Sequence, residues 1–351
     1  MNRAVLLLLG AASLMACGGE PFSAAADAGT DSSKDGSGGG AAGQAGSAGS
    51  SGAAGQAGAA AGGADGGVGG SAGSAGVAGA AGSGCGDLMS DPANCGWCGH
   101  SCLGAACVDG RCALAVIASE VTPIGLALQN SKVFFTDDGV SAVRAVPKDG
   151  SGTPVVIAPD QVQPGYIAID GDAIYWTLLS DGSVMKLASG GAGPVKVGDN
   201  FPKPVGIAAY GGQLWVTDAT TGYLWKLPTN GGVGTVFATL DANGFAEGIA
   251  RDGQTAWVAM NATDAVVTVD ASGKLVTPFV QGQGNPAGVA IDDGAVYWAN
   301  QNSGELRRKR KNGGEVVTLA IGLNWPAGVA VDDQYVYCAE VHGKRIVRVA
   351  K

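Results

Sequence analysis

The chain has 351 residues and a formal net charge of −9, which argues against a nucleic-acid partner because phosphate binding needs a basic surface. No internal apolar run reaches the ~18 residues that a membrane-spanning helix requires. Its 62 glycines are unevenly spread, crowding before residue 85, so composition alone divides the chain.

The N-terminus reads MNRAVLLLLGAASLMACGGE: Arg3, then an apolar stretch from Ala4 to Ala16. That is the layout of a secretory signal, too short for an ordinary spanning helix. The stretch ends Leu14-Met15-Ala16-Cys17 and resembles the bacterial lipoprotein signal, whose Cys receives a diacylglyceryl group and becomes the mature N-terminus. The resemblance implies a signal peptide over 1–16 and lipidation at Cys17. Gly18 in place of Asp then implies sorting to the outer membrane. Two or three acyl chains, at roughly 0.8 kcal/mol per buried CH₂, make a stable membrane anchor. An ordinary cleavage site with an incidental Cys is the plainer alternative.

From Ala24 to Gly84 nearly every residue is Ala, Gly or Ser, and only Asp27, Asp31, Lys34, Asp35 and Asp65 are charged. Such a segment has no large apolar side chains to offset the entropy of ordering. Residues 17–84 are therefore expected to be a disordered tether, with a mean reach of roughly 45 Å for about 60 residues. A Gly-rich helical bundle would want a stricter period.

Six cysteines follow within 85–112: Cys85, Cys95, Cys98, Cys102, Cys107 and Cys112. An even count in a short exported stretch predicts three disulfides, with 15 possible pairings. A segment this small has little core, so bridges would hold it together. Zinc is the competing reading, with Cys95, Cys98, His100 and Cys102 as ligand types. The NCGxCGxxC spacing resembles small Cys-rich modules of bacterial surface lipoproteins, which implies no chemistry.

Beyond Thr122 the chain repeats itself. Pro123, Pro164, Pro204, Ala246, Pro286 and Pro326 each open a stretch of PxGVAV type, 40 to 42 residues apart. Six copies at one period mark a repeat architecture. Each copy reads as four short strands. A small apolar strand leads to a turn, often Asp-Gly (Asp170-Gly171, Asp252-Gly253, Asp293-Gly294), a strong hairpin signal. The second strand carries aromatics such as Tyr175-Trp176, Trp215, Trp257 and Tyr297-Trp298. A 40-residue four-stranded antiparallel unit is a propeller blade. The last copy stops after its third strand, and Ala113–Glu120 has the pattern to supply the fourth, removing an exposed edge. The expectation is an all-β chain: a six-bladed propeller of 24 strands over 113–351, closed by an N-terminal outer strand. The PxGVAVDDxxVYxA…RIVRV rows resemble NHL-type and related six-bladed propellers; the resemblance implies fold and leaves activity open.

Function should sit where the loops entering the inner strands and leaving the second strands meet on one face. The first set places Thr122, Gln163, Lys203, Phe245, Asn285 and Trp325 there; the second places Asp137, Leu178, Asp218, Met260, Asn300 and Glu340. Three site readings arise. Asp218, Asn300, Glu340 and Glu247 are oxygen ligands of the kind Ca²⁺ prefers, in a layout that resembles the metal-dependent lactonases. Leu178 and Met260 break that ring, and an Asp or Asn at this position also commonly bonds the next turn. His342, the only His of the propeller, beside Glu340, resembles the His that streptogramin-lyase-like propellers use on this face, although no nucleophile accompanies it. Phe245 and Trp325, with Asn285 and Lys203, suit a sugar or peptide.

Two positions lapse from the repeat. The fifth copy's third strand is followed through Arg307-Arg308-Lys309-Arg310-Lys311, where Lys309 replaces Leu187, Leu227, Val269 and Val349 of other copies. The run suits an acidic polymer or lipid head groups, or a Lys snorkelling from a blade edge. Cys338, in place of Trp298, is expected to be a buried free thiol. The leading expectation is a non-enzymatic outer-membrane lipoprotein whose propeller binds a protein or glycan. A metal-dependent hydrolase or lyase on the same face is the alternative.

Overall fold

The computed structural model describes residues 85–351 except Thr277; the expected signal peptide, Cys17 and the tether lie outside the described residues. Among the described residues, no helix is long and apolar enough to cross a membrane.

The Cys-rich stretch is held by Cys85–Cys98, Cys95–Cys107 and Cys102–Cys112, with Cα atoms 5.4, 5.6 and 5.2 Å apart. Cys107–Val108 and Arg111–Cys112 form its one small hairpin. The sulfurs of Cys95, Cys102 and Cys112 lie within 4.8 Å of one another, but as halves of two bridges rather than as free thiolates. His100 is buried; its Nδ1 donates to the Cys95 carbonyl at 2.5 Å and its ring stacks on Trp97 at 3.7 Å. Four of the bridged cysteines, Cys95, Cys102, Cys107 and Cys112, join the core formed by Tyr297, Leu319, Ala320 and Val347. The module thus lies against the last two blades and shares their apolar interior.

Six sheets follow. Blade 1 comprises Pro123–Gln129, Lys132–Asp137, Ala142–Pro147 and Val155–Ala158. Blade 2 comprises Pro164–Asp170, Ala173–Leu178, Ser183–Leu187 and Val195–Gly198. Blade 3 comprises Pro204–Tyr210, Gln213–Asp218, Tyr223–Pro228 and Thr235–Thr239. Blade 4 has Ala246–Arg251, Thr255–Met260 and Ala265–Asp270. Blade 5 has Pro286–Ile291, Ala295–Asn300, Glu305–Arg310 and Val317–Ala320. Blade 6 has Pro326–Val331, Tyr335–Glu340 and Arg345–Ala350, and its fourth strand is Ala115–Ser119, paired through Ile346↔Ala118 and Val347↔Val116. The chain therefore closes as the repeat predicts, leaving no bare edge at the seam. The count of 24 strands needs correction. Blade 4 forms a three-stranded sheet, and among the described residues its outer segment pairs with it through isolated bridges at Val266↔Val280 and Val269↔Leu275 rather than as a fourth strand. Pro278 sits in that segment with no N–H to give a ladder.

Three devices join one blade to the next. The first is a ring of glycines: a Cβ on Gly125, Gly206, Gly248, Gly288 or Gly328 would come within 3.0 Å of the next inner strand's backbone, ending with Gly328 against Ile124 of blade 1. Only a residue without a side chain lets the inner strands approach this closely. The second is a set of hydroxyl bridges in the first three blades. Thr136 and Thr217 accept from the Gly125 and Gly206 N–H at 2.9 and 2.8 Å and donate to the Gly165 and Glu247 carbonyls at 2.6 and 2.5 Å. Thr177 donates to the Val205 carbonyl at 2.8 Å. The third is a row of ion pairs on the hairpin turns: Asp252–Lys311 at 3.0 Å, Asp292–Lys351 at 2.7 Å and Asp332–Lys148 at 3.0 Å. Each Asp also accepts the backbone N–H groups of its own turn, so the pair fixes a turn already formed. Asp292 is held down to about 2: its burial, which by itself raises the value, is outweighed by the Lys351, Tyr297 and turn N–H bonds.

The two lapses find their reasons here. Lys309 reaches the Phe279 carbonyl at 2.8 Å and lies over the Phe279 ring at 4.9 Å. It supplies a donor to the irregular outer segment of blade 4, which explains a Lys where the other copies are apolar. Arg307 pairs with Glu305 at 2.8 Å, Lys311 with Asp252, and Arg308 lies 5.1 Å over Trp97 of the Cys module. Most of the basic run is engaged within the fold. Cys338 is a buried free cysteine, its thiol pushed up by burial and by the neighbouring Glu340.

Candidate functional site

The axial mouth is built by one hydrogen bond repeated six times. The residue after each second strand donates its N–H to the carbonyl of the residue before that blade's inner strand. Asp138 bonds Thr122 at 3.0 Å, Leu179 bonds Gln163 at 3.0 Å and Ala219 bonds Lys203 at 3.0 Å. Asn261 bonds Phe245 at 3.1 Å, Gln301 bonds Asn285 at 3.0 Å and Val341 bonds Trp325 at 3.1 Å. Each bond holds two neighbouring residues at the rim. Four residues of the first set stand at left-handed φ: Gln163 at 54°, Phe245 at 50°, Asn285 at 53° and Trp325 at 54°. For aromatic residues that conformation is strained, and strain concentrates where a surface is held for use.

The second set of expected residues sits one position short of the rim. Asp218, the last residue of its strand, pairs with Pro204 in the ladder. Its carboxylate accepts from Lys203 N at 2.7 Å, Thr220 N at 3.0 Å, and Thr221 N and Oγ1 at 2.9 Å. Glu340 accepts from Asn324 N at 2.8 Å and from Arg345 Nε at 2.6 Å. Asn300 is buried and donates to Gln283 at 3.4 Å. Successive strand residues point to opposite faces, so these side chains serve their own turns. It is the following residues, Leu179, Gln301 and Val341, that line the axial well. Among the described residues the one trio of His, Cys, Asp or Glu with ligand atoms within 4.8 Å is the bridged cysteine group. Asp218, Glu340 and Glu247 therefore do not meet in one coordination shell. His342 is brought to the mouth, exposed, with its ring 5.0 Å from Trp325, but the Glu340 expected beside it is turned into its blade. Asn285 is occupied by Asn261, donating to that residue's carbonyl at 3.0 Å.

The well holds what the rows of the repeat did not advertise. In the Gly column of PxG the six blades carry Gly125, Tyr166, Gly206, Gly248, Gly288 and Gly328. In the column before it stand Ile124, Gly165, Val205, Glu247, Ala287 and Ala327. Tyr166 and Glu247 are the two exceptions, and they meet: Tyr166 Oη donates to Glu247 Oε2 at 3.5 Å. Glu247 is 1% exposed, and its Oε1 finds no hydrogen-bond partner among the described residues. Burial pushes its carboxyl up to about 8, against the smaller opposite pull of Tyr166 and of Lys203. Burial and the adjacent Glu247 also raise the Tyr166 phenol, keeping it neutral. Lys203 lies over the Phe245 ring at 5.0 Å, and its own value is lowered by desolvation. Apolar side chains, among them Ile124, Leu179, Val205 and Val341, form the remaining walls, and Trp325 stands at the lip. The well opens at the mouth and has room for about one water-sized group against its walls. Glu247 was legible as an acid at an inner-strand entrance. Tyr166 was legible only by reading down the Gly column.

The described residues form a six-bladed β-propeller with an axial well at this mouth. No protein-family profile matches the chain, and no curated protein matches it. Solved structures resemble it in fold. A protein of unknown function from Bacteroides thetaiotaomicron aligns at TM-score 0.58 and 16% identity, covering 68% of this chain and 75% of that one. An auxiliary nutrient binding protein from the same organism aligns at 0.56 and 13%, covering 66% and 69%. Virginiamycin B lyase from Staphylococcus aureus aligns at 0.54 and 14%, covering 68% and 99%. At these identities the likeness concerns the fold.

Proposed function

We propose that this chain is a lipid-anchored propeller of the outer membrane that takes a protein or glycan ligand at its axial mouth. The observation that carries the reading is Trp325. It is half-buried, held at left-handed φ, in tilted ring contact with an exposed His342, and set over a well that ends on Glu247. An apolar hollow with an aromatic lip and few polar groups is how proteins hold a sugar ring or a peptide side chain. The nutrient-binding fold relative supports a binding use of this scaffold. The anchor rests on Arg3, the apolar run to Ala16, Cys17 and the Gly/Ala/Ser tether. A lyase or hydrolase on the same face keeps one supporting observation, His342 at the mouth, without the carboxylate partner that acid–base work would need.

Glycan and peptide arrays probed with the full chain test the mouth. Ligands captured by the wild type should bind Trp325→Ala at least tenfold more weakly. Undiminished capture by that variant would place binding elsewhere. Cys17→Ser should lose radiolabelled acyl incorporation and leave the membrane fraction; a labelled, sedimenting variant would remove the anchor from the reading.

A further inference from the structure

We infer that the axial well is a receptor for a single primary ammonium group on a short alkyl stem, such as a lysine side chain, with Glu247 as its counter-ion and Tyr166 positioning the carboxylate. The inference deepens the binding reading and rests on it.

Four observations carry it. A carboxyl group with one oxygen unpartnered lies 1% exposed at the well, and an unsatisfied buried polar atom costs free energy until a ligand meets it. Among the described residues the one hydrogen bond to the carboxyl is the long one, at 3.5 Å, from Tyr166; the phenol can donate to a carboxylate but cannot neutralise it. The walls are aliphatic, which suits methylene groups. The well has room for about one water-sized group against its walls, which suits a primary ammonium better than a bulkier cation. Trp325 at the lip would face the stem and add a cation–π contribution as the charge passes.

The other candidates fit less well. A divalent cation such as Ca²⁺ takes six to eight oxygens, whereas this well offers one carboxylate, a phenol and the Gln301 amide. An anion would meet Glu247. The tyrosine itself marks the well as built for this. In place of the ring glycine, blade 2 carries Tyr166, and the glycine moves one position back to Gly165, where a Cβ would strike Thr177 and Leu179 of its own blade and come 3.1 Å from the Val205 carbonyl of the next inner strand. The swap keeps the close strand approach and still delivers a phenol to the axis.

The charged neighbours set the pH dependence. Glu247 faces Tyr166 and feels Lys203, which in turn feels Asp218, and His342 lies beyond Trp325. With its carboxyl pushed up to about 8, Glu247 is mostly protonated at pH 6 to 7. An alkylammonium must displace that proton, so affinity should rise about tenfold per pH unit from 6 to 7 and level off above 8.

The test is calorimetric titration of the full chain with n-butylamine, in two buffers of different ionisation enthalpy. Saturable binding with release of nearly one proton at pH 6.5 is expected. Glu247→Gln should weaken it at least tenfold, and Tyr166→Phe about threefold or more with the pH dependence shifted upward. Tetramethylammonium and guanidinium should not compete. Butylamine binding equal in wild type and Glu247→Gln, equal binding of tetramethylammonium, or no binding of butylamine at 100-fold excess over millimolar concentrations would each overturn the inference. The Tyr166→Phe arm keeps the test sound if Glu247→Gln folds poorly. If Trp325→Ala abolishes capture of array ligands while butylamine does not bind wild type, the mouth is a binding face and its well is not an amine receptor. If Trp325→Ala has no effect while butylamine binds as described, the ammonium site stands and the wider ligand surface falls.

Discussion

Glu247→Gln is expected to leave stability almost unchanged near pH 4.5 and to raise it by several kcal/mol at pH 8 and above. The folded-state value is about 8 against an ordinary 4.5, with burial as the main cause. Between those values the folded state holds a proton that the unfolded chain releases. The stabilisation linked to that proton is complete below pH 4.5 and is lost as pH rises to 8, at up to about 1.4 kcal/mol per pH unit. Above 8 both states are ionised and the loss stops. Glutamine has the same shape and no proton to lose, so its curve lacks this slope. The ion-paired Asp292, near 2, titrates below this window and does not mask the effect. Urea midpoints measured for both proteins every half unit from pH 4.5 to 9 give the comparison. Parallel curves through pH 5 to 8 would mean that Glu247 is hydrated in solution, and the well would lose its defining feature.

Gly288→Ala should cost more than about 3 kcal/mol, above the usual 1–3 kcal/mol of overpacking. Its Cβ would be driven into the Ala327 carbonyl and the Val329 amide, and two inner strands of a closed ring have nowhere to retreat. Gly294→Ala, in the hairpin turn of the same blade, is the internal control. There a Cβ meets only Asp292 Oδ1 at 3.8 Å, so the change should fall within about 0.5 kcal/mol of wild type. Equilibrium denaturation followed by tryptophan fluorescence separates the two. Equal stabilities would show that the inner strands lie farther apart than described, and the axial well with them wider.

Much of this protein could be read before any coordinates. The PxG recurrence from Pro123 to Pro326, the Asp-Gly turns and the truncated last copy specified six blades, and the match of Ala113–Glu120 to a missing outer strand specified the closure. These are local signals: a turn needs its Asp and Gly, and a strand its alternation, whatever else the chain does. Cys338 was legible for the same reason, as a small apolar residue in an apolar row. Blade 4 was misread by one strand because Pro278 acts only through the ladder it fails to join.

What the amino-acid order determined by itself was the repeat, and with it the blades, their number and the face on which the loops around the axis gather. What tertiary structure alone decided was which side chains arrive at that face. A shift of one residue turns a strand's side chains over, so Asp218 and Glu340 went to their own turns while Gln301 and Val341 reached the axis. The pairing of six cysteines and the meeting of Tyr166 with Glu247, 81 residues apart, likewise depend on closure of the ring. Contacts between distant segments are set by where whole blades dock, and no local pattern encodes that distance.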